Sequence, residues 1–97
     1  MTRVVNVRFE KYDVYIGRQY NSQLFDYGNP YPVNIYGRAE ALRRYREYFN
    51  RRINDPNDEF KKRILELKGK VLGCYCKSKK CHGDVIVEYL ESIEDEN

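Results

Sequence analysis

The sequence predicts an α/β fold: a small sheet of about three strands with helices packed on it, in the order ββ-αα-β-α. Three observations carry this. Two short runs rich in β-branched residues lie near the amino terminus. A long middle segment repeats its apolar residues at steps of three and four. A third apolar run, residues 71–76, leads into a second segment with helical spacing. At 97 residues the chain, 1–97, reads as a single domain, too short for two of ordinary size.

Val4-Val5-Asn6-Val7-Arg8-Phe9 alternates approximately and reads as the first strand. Val14-Tyr15-Ile16 reads as the second. Lys11-Tyr12-Asp13 leaves so short a connection that the two are expected to be antiparallel neighbours. Gly17 ends this run and Arg18 follows where the chain leaves the sheet. From Gln19 to Gly37 the period is lost, and Tyr20, Phe25, Tyr27, Tyr31 and Tyr36 are interleaved with Asn, Gly and Pro. Asn29 and Tyr31 each precede a proline, so residues 26–32 read as consecutive turns. A long irregular loop in so small a domain is functional or poorly ordered, and its aromatic content argues for order.

Arg38–Ile53 is the clearest helix, with Ala39, Leu42, Tyr45, Phe49 and Ile53 on one stripe. Asn54-Asp55-Pro56 interrupts it, and Asp55 with Pro56 has the cap-then-proline form of a new helix start. That helix carries Phe60, Ile64, Leu65 and Leu67 and stops at Gly69. Val71-Leu72-Gly73-Cys74-Tyr75-Cys76 then reads as a buried strand. After Cys81-His82-Gly83-Asp84 comes a last helix with Val85, Ile86, Tyr89, Leu90 and Ile93 inward.

No apolar run is long enough to cross a bilayer and no leader pattern opens the chain, so the expected location is cytoplasmic. Three cysteines, all within eight residues, do not make a disulfide framework, whose bridges close sizeable loops. Clustered cysteines in a cytosolic setting point to a metal or a reactive thiol. The net charge is only +3, but basic residues crowd the middle and acidic ones the tail. Arg38, Arg43, Arg44, Arg46, Arg51 and Arg52, with Lys61, Lys62 and Arg63, are either solvated helix faces or an attraction for phosphate-bearing partners.

The chemistry is concentrated in Cys74, Cys76, Cys81 and His82. Cys74 and Cys76, two apart on a strand, project from one face, and Cys81 and His82 follow a short turn, Lys77-Ser78-Lys79-Lys80. Three thiolates and an imidazole form a known tetrahedral zinc set. Against it, Cys-x-Cys spacing is uncommon in zinc motifs, and the adjacent side chains of Cys81 and His82 diverge. The rival is a reactive thiol: Cys81 at a helix amino terminus, with a lowered pKa and His82 as base. The same helix start and basic turn could instead hold a phosphate or carboxylate, with Asp84 capping the helix or orienting His82. The plain alternative is that Cys74 and Cys76 are small buried hydrophobes.

Val4-Val5-Asn6-Val7, Tyr12-Asp13-Val14-Tyr15-Ile16-Gly17-Arg18, Tyr27-Gly28-Asn29-Pro30-Tyr31 and Leu72-Gly73-Cys74-Tyr75-Cys76 with Cys81-His82-Gly83-Asp84 together resemble the domain-of-unknown-function family 4326, small proteins of bacteria and phages. The resemblance runs over nearly the whole chain. The family often has Trp before Gly-Asn-Pro and between the first two cysteines, where this chain has Tyr27 and Tyr75, and a proline where it has Ser78. The resemblance implies that the segment ending at Arg18, the Gly28-Asn29-Pro30 turn and the Cys/His cluster belong to one site. Arg18 then suits a phosphate or carboxylate, and Asn29 a base or sugar edge.

Three functions follow as expectations. The first is a module that binds a nucleotide-like or other anionic ligand through Arg18, Gly28, Asn29 and Asp84 beside a site that holds zinc. The second is an enzyme using Cys81 with His82, or a metal, on a nucleoside-type substrate. The third is nucleic-acid binding through the arginine-rich helix with tyrosines to stack on bases.

Overall fold

A computed structural model of the chain describes residues 2–17, 27–75 and 81–95. The elements are β1 (Arg3–Asn6), β2 (Val14–Tyr15), α1 (Val33–Tyr36), α2 (Arg38–Ile53), α3 (Phe60–Leu65), β3 (Val71–Cys74) and α4 (His82–Asp95). This is the mixed α/β arrangement and order that the sequence predicts, with the small helix α1 added inside the irregular stretch. Pro32 supplies the carbonyl that Tyr36 N–H donates to at 3.0 Å, closing α1's single turn.

The sheet order is β1-β3-β2, and both outer strands run parallel to β3. The expected antiparallel pairing of β1 with β2 is therefore corrected: β3 lies between them. The reason is the character of β3, an apolar run buried at Leu72, Gly73 and Cys74, which belongs in the centre of a sheet. Each outer strand has its ladder partner there, as Val7 N–H donates to Cys74 O at 3.1 Å and Ile16 N–H to Gly73 O at 2.9 Å. The start of β2 is pinned by Asp13, whose N–H donates to Val71 O at 2.7 Å and whose carboxylate accepts Val71 N–H at 2.8 Å.

The connection 7–13 reaches β2 by passing over the middle of β3, and Gly73 makes room for it. A Cβ there would stand 2.6 Å from Tyr12 Cγ and 2.7 Å from Val7 Cγ1. Phe9, expected in the first strand, lies past its end in this connection and is 81% exposed.

Strand side chains alternate between faces, so Leu72 and Cys74 point one way and Gly73 the other. Leu72, Cys74 and Ile16 join Tyr45, Phe49, Phe60, Ile64, Ile86 and Leu90 in one core, which places the helices on the Leu72 face. The buried stripe of α2 is Ala41, Tyr45 and Phe49; Ala39 is exposed, because the side chain two residues on occupies the core-facing position. Leu65, expected inward on α3, is 39% exposed, while Ile64 and Leu67 are buried. That helix begins at Phe60, later than Asp55-Pro56 suggests, because Asp58 takes the Phe60 N–H at 2.9 Å while its carboxylate is gripped by Arg52 at 2.7 and 2.9 Å. Among the described residues no helix is long and apolar enough to cross a membrane.

Candidate functional site

The site forms where β3 ends and α4 begins. Cys74 is the last residue of β3 and Cys81 immediately precedes α4, and their sulfurs stand 3.4 Å apart, both buried. Gly83 allows that approach. A Cβ on it would lie 2.7 Å from Ile16 Cδ1 and 2.9 Å from Val4 Cγ2, so only glycine lets the first turn of α4 press against the sheet. Asp84 closes the turn: its carboxylate accepts Cys81 N–H at 3.1 Å, the reach-back half of a capping box. Of the two roles expected for Asp84, this geometry is the cap.

His82 is buried, 7% exposed. Its Nε2 lies 2.5 Å from Ile16 O, and since a carbonyl only accepts, Nε2 carries the proton. The ring also sits edge-on against Tyr45 of α2, with centroids 5.2 Å apart. His82 thus ties the ends of β2 and α4 together against α2, a contact that spacing alone did not reveal. The histidine was legible as chemistry, but its partner is a backbone carbonyl distant in sequence.

The Cys81 thiol is held well above its ordinary value of 9.0, first by its hydrogen bond to Cys74, then by burial and by repulsion from Cys74. The Gly83 N–H pulls the other way with less effect, and Asp84 adds to the rise. This corrects the expectation of a lowered pKa: the helix terminus acts on Cys81, but a second thiol and the loss of water outweigh it.

Two thiolates bound at about 2.3 Å to one tetrahedral zinc stand roughly 3.8 Å apart. Cys74 and Cys81 need to open by only a few tenths of an ångström to fit such an ion as two ligands. His82 does not fit as a third ligand through Nε2, which is engaged at Ile16. Cys76 lies outside the described residues, among which no group of three His, Cys, Asp or Glu side chains is gathered for a metal.

Of the other expected residues, Arg18 also lies outside the described residues. Gly28 is buried, and both ends of the Asn29 amide are engaged: Oδ1 accepts Tyr31 N–H at 2.9 Å and Nδ2 donates to Ala41 O at 3.3 Å. Asn29 therefore docks its turn on α2, one helical turn from Tyr45 and its histidine. Arg43, Arg44, Arg46 and Arg52 of α2 are matched by acids. Arg43 pairs with Glu40 and Glu47, Arg44 with Glu40, Arg46 with Glu88 and Arg52 with Asp58, at 2.6 to 2.8 Å.

The model of the family described as Domain of unknown function (DUF4326) matches residues 1–92. The chain belongs to that family. A DUF4326 chain of this length has a relative in Enterobacteria phage T4, an "Uncharacterized 12.4 kDa protein in nrdA-td intergenic region", 35% identical over 94 residues. The similarity covers 96% of this chain and 81% of the phage protein. No solved structure matches this DUF4326 chain. The family match spans every element of the sheet and both thiols of the pair, so the site described above lies wholly inside the DUF4326 region.

Proposed function

We propose that this DUF4326 protein binds a nucleotide-like, anionic small molecule at the carboxyl ends of its strands, beside a zinc held by Cys74, Cys76 and Cys81. The observation that carries the reading is the parallel direction of all three strands. In open parallel sheets ligands sit in the crevice outside the strands' carboxyl ends. Here each strand is followed in sequence by cations: Arg8 after β1, Arg18 after β2, and Lys77, Lys79 and Lys80 after β3. Parallel strands all end at one edge of the sheet, and cations that follow each of them closely in sequence favour a phosphate or carboxylate ligand there. The first turn of α4 contributes little to that attraction, because the Asp84 carboxylate already occupies it.

Zinc is the second part of the reading, favoured by the 3.4 Å gap between two buried sulfurs. A bound zinc would replace both thiol protons and fasten β3 to α4. Calorimetric titration with deoxynucleoside mono- and triphosphates and with inorganic phosphate tests the ligand. Saturable binding that Arg18→Gln weakens at least tenfold is expected, and no binding of any of these anions overturns the reading. Elemental analysis tests the metal. About one zinc per chain, lost in Cys81→Ser and kept in His82→Gln, is expected; metal-free protein purified under reductant refutes it.

A further inference from the structure

We propose that the sheet face opposite the helices is a docking surface for single-stranded DNA, built on Tyr12, Tyr15, Tyr75 and Arg8. The four helices leave this face uncovered by any element among the described residues; what lies on it is the connection 7–13. Tyr12 is seated over Gly73 yet remains 45% exposed, and Tyr75, next after β3, is 56% exposed. Tyr15 stands between them, with ring centroids 6.4 Å from Tyr12 and 6.0 Å from Tyr75. The Arg8 guanidinium lies 5.3 Å from the Tyr75 ring centroid. Exposed rings gathered on one face of a small domain mark a binding surface rather than ordinary scatter.

The occupant follows from ring spacing and charge. The rings are inclined to one another by 53° and 78° with centroids 6.0 to 6.4 Å apart, so they offer separate faces wider apart than the roughly 3.4 Å rise of stacked bases, which suits an extended strand whose bases have come apart. Every base has a π-face, so tyrosines accept single strands without regard to sequence, and arginine adds to the stack. Along the sequence, the stretches that contain these rings, residues 7–18 and 75–80, carry six basic residues (Arg8, Lys11, Arg18, Lys77, Lys79 and Lys80) against two acidic ones (Glu10 and Asp13). Both acids are engaged within the chain, Glu10 with Arg3 at 3.4 Å and Asp13 with Val71 N–H. Asn6 Oδ1 likewise accepts Arg8 N–H at 2.9 Å; what the surface offers is ring faces, which stack on bases without selecting the sugar, and DNA is the strand to which we commit. The helical side offers a poorer footing, because Arg43, Arg44 and Arg46 of the helix that first suggested nucleic acid are matched by Glu40, Glu47 and Glu88.

The test is fluorescence anisotropy of labelled (dT)12 with the full chain at low salt. Saturable binding is expected, falling at least about fivefold in Tyr75→Ala and restored in Tyr75→Phe, as stacking on a single ring requires. Affinity should fall with salt at a log–log slope of about −0.7 for each phosphate engaged. Because Tyr75 is mostly exposed, Tyr75→Ala should keep the wild-type melting temperature, and Tyr75→Phe retains the ring in any case. The double change Arg43→Gln, Arg44→Gln should leave binding intact; loss through that pair while Tyr75→Ala binds normally overturns the proposal. So do absent binding, equal binding of the duplex, binding of (rU)12 without (dT)12, and a Tyr75-dependent self-association with no DNA bound. Thymidine monophosphate, titrated alongside, separates this inference from the small-anion reading. Oligonucleotide binding without monophosphate binding sinks that reading and leaves this one standing, and the reverse result does the opposite.

Discussion

Cys81 shows how one residue is governed by opposing local forces. It sits at a helix start, where partial positive charge favours the thiolate, yet it is 3% exposed and 3.4 Å from another sulfur, and these prevail. The sign of the pH effect follows. A thiol whose folded pKa is raised stays neutral in the native state while the unfolded chain ionises near 9.0, so its stabilising contribution is whole below that pH and is lost above it. In metal-free protein, the melting temperature should fall above pH 9 and fall less in Cys81→Ser; equal alkaline slopes would show that the thiol pair is not the cause. Glycine 83 makes a second prediction at this scale. Its missing Cβ admits Ile16 and Val4, so Gly83→Ala should cost about 1–3 kcal/mol in a denaturant melt, as overpacked sites do. An unchanged midpoint would mean that α4 can retreat without loss.

At the scale of elements, α4 and α2 are held by different means. The first turn of α4 depends on the Asp84 cap, and Asp84→Ala should remove about 1 kcal/mol of stability while Asp84→Asn retains most of it. Helix α2 is fastened by packing at Ala41, Tyr45 and Phe49, with a solvent face of acid–arginine pairs. Two arginines hold the Glu40 carboxyl down, from an ordinary 4.5 to about 2, chiefly by the hydrogen bond from Arg43. A carboxyl depressed in the folded state stabilises above its unfolded pKa and loses that contribution as pH falls through the folded one. Melting temperatures should therefore drop between pH 4.5 and about 2, and Glu40→Gln should flatten part of that drop; identical acid limbs would count against it. Glu40 is exposed and open to salt screening, so the effect should shrink in high salt.

For the molecule as a whole, strand direction matters most. For every element but the single-turn α1, the sequence settled which segments are helix and strand, because periods of two and of three to four are written into successive residues. It also marked Cys74, Cys81, His82 and Asp84 as belonging together, since they lie within eleven residues across one strand–helix junction, 74–84. It did not settle how β1 and β2 pair. A short link reads locally as a hairpin, whereas the burial of β3 between them is a contact some 60 residues away in the chain, as in Val14 with Leu72. His82 was equally out of reach, because its partner is the carbonyl of Ile16, a group that every residue carries and no motif distinguishes. The exposed rings escaped notice for the same reason: Tyr12 reads as part of a short connection and Tyr75 as part of a buried strand until a parallel sheet, with helices on one face only, puts both on the open face. Local pattern determines what a segment becomes. Which edge or face it then presents depends on long-range burial, which is decided only when the strands find their neighbours.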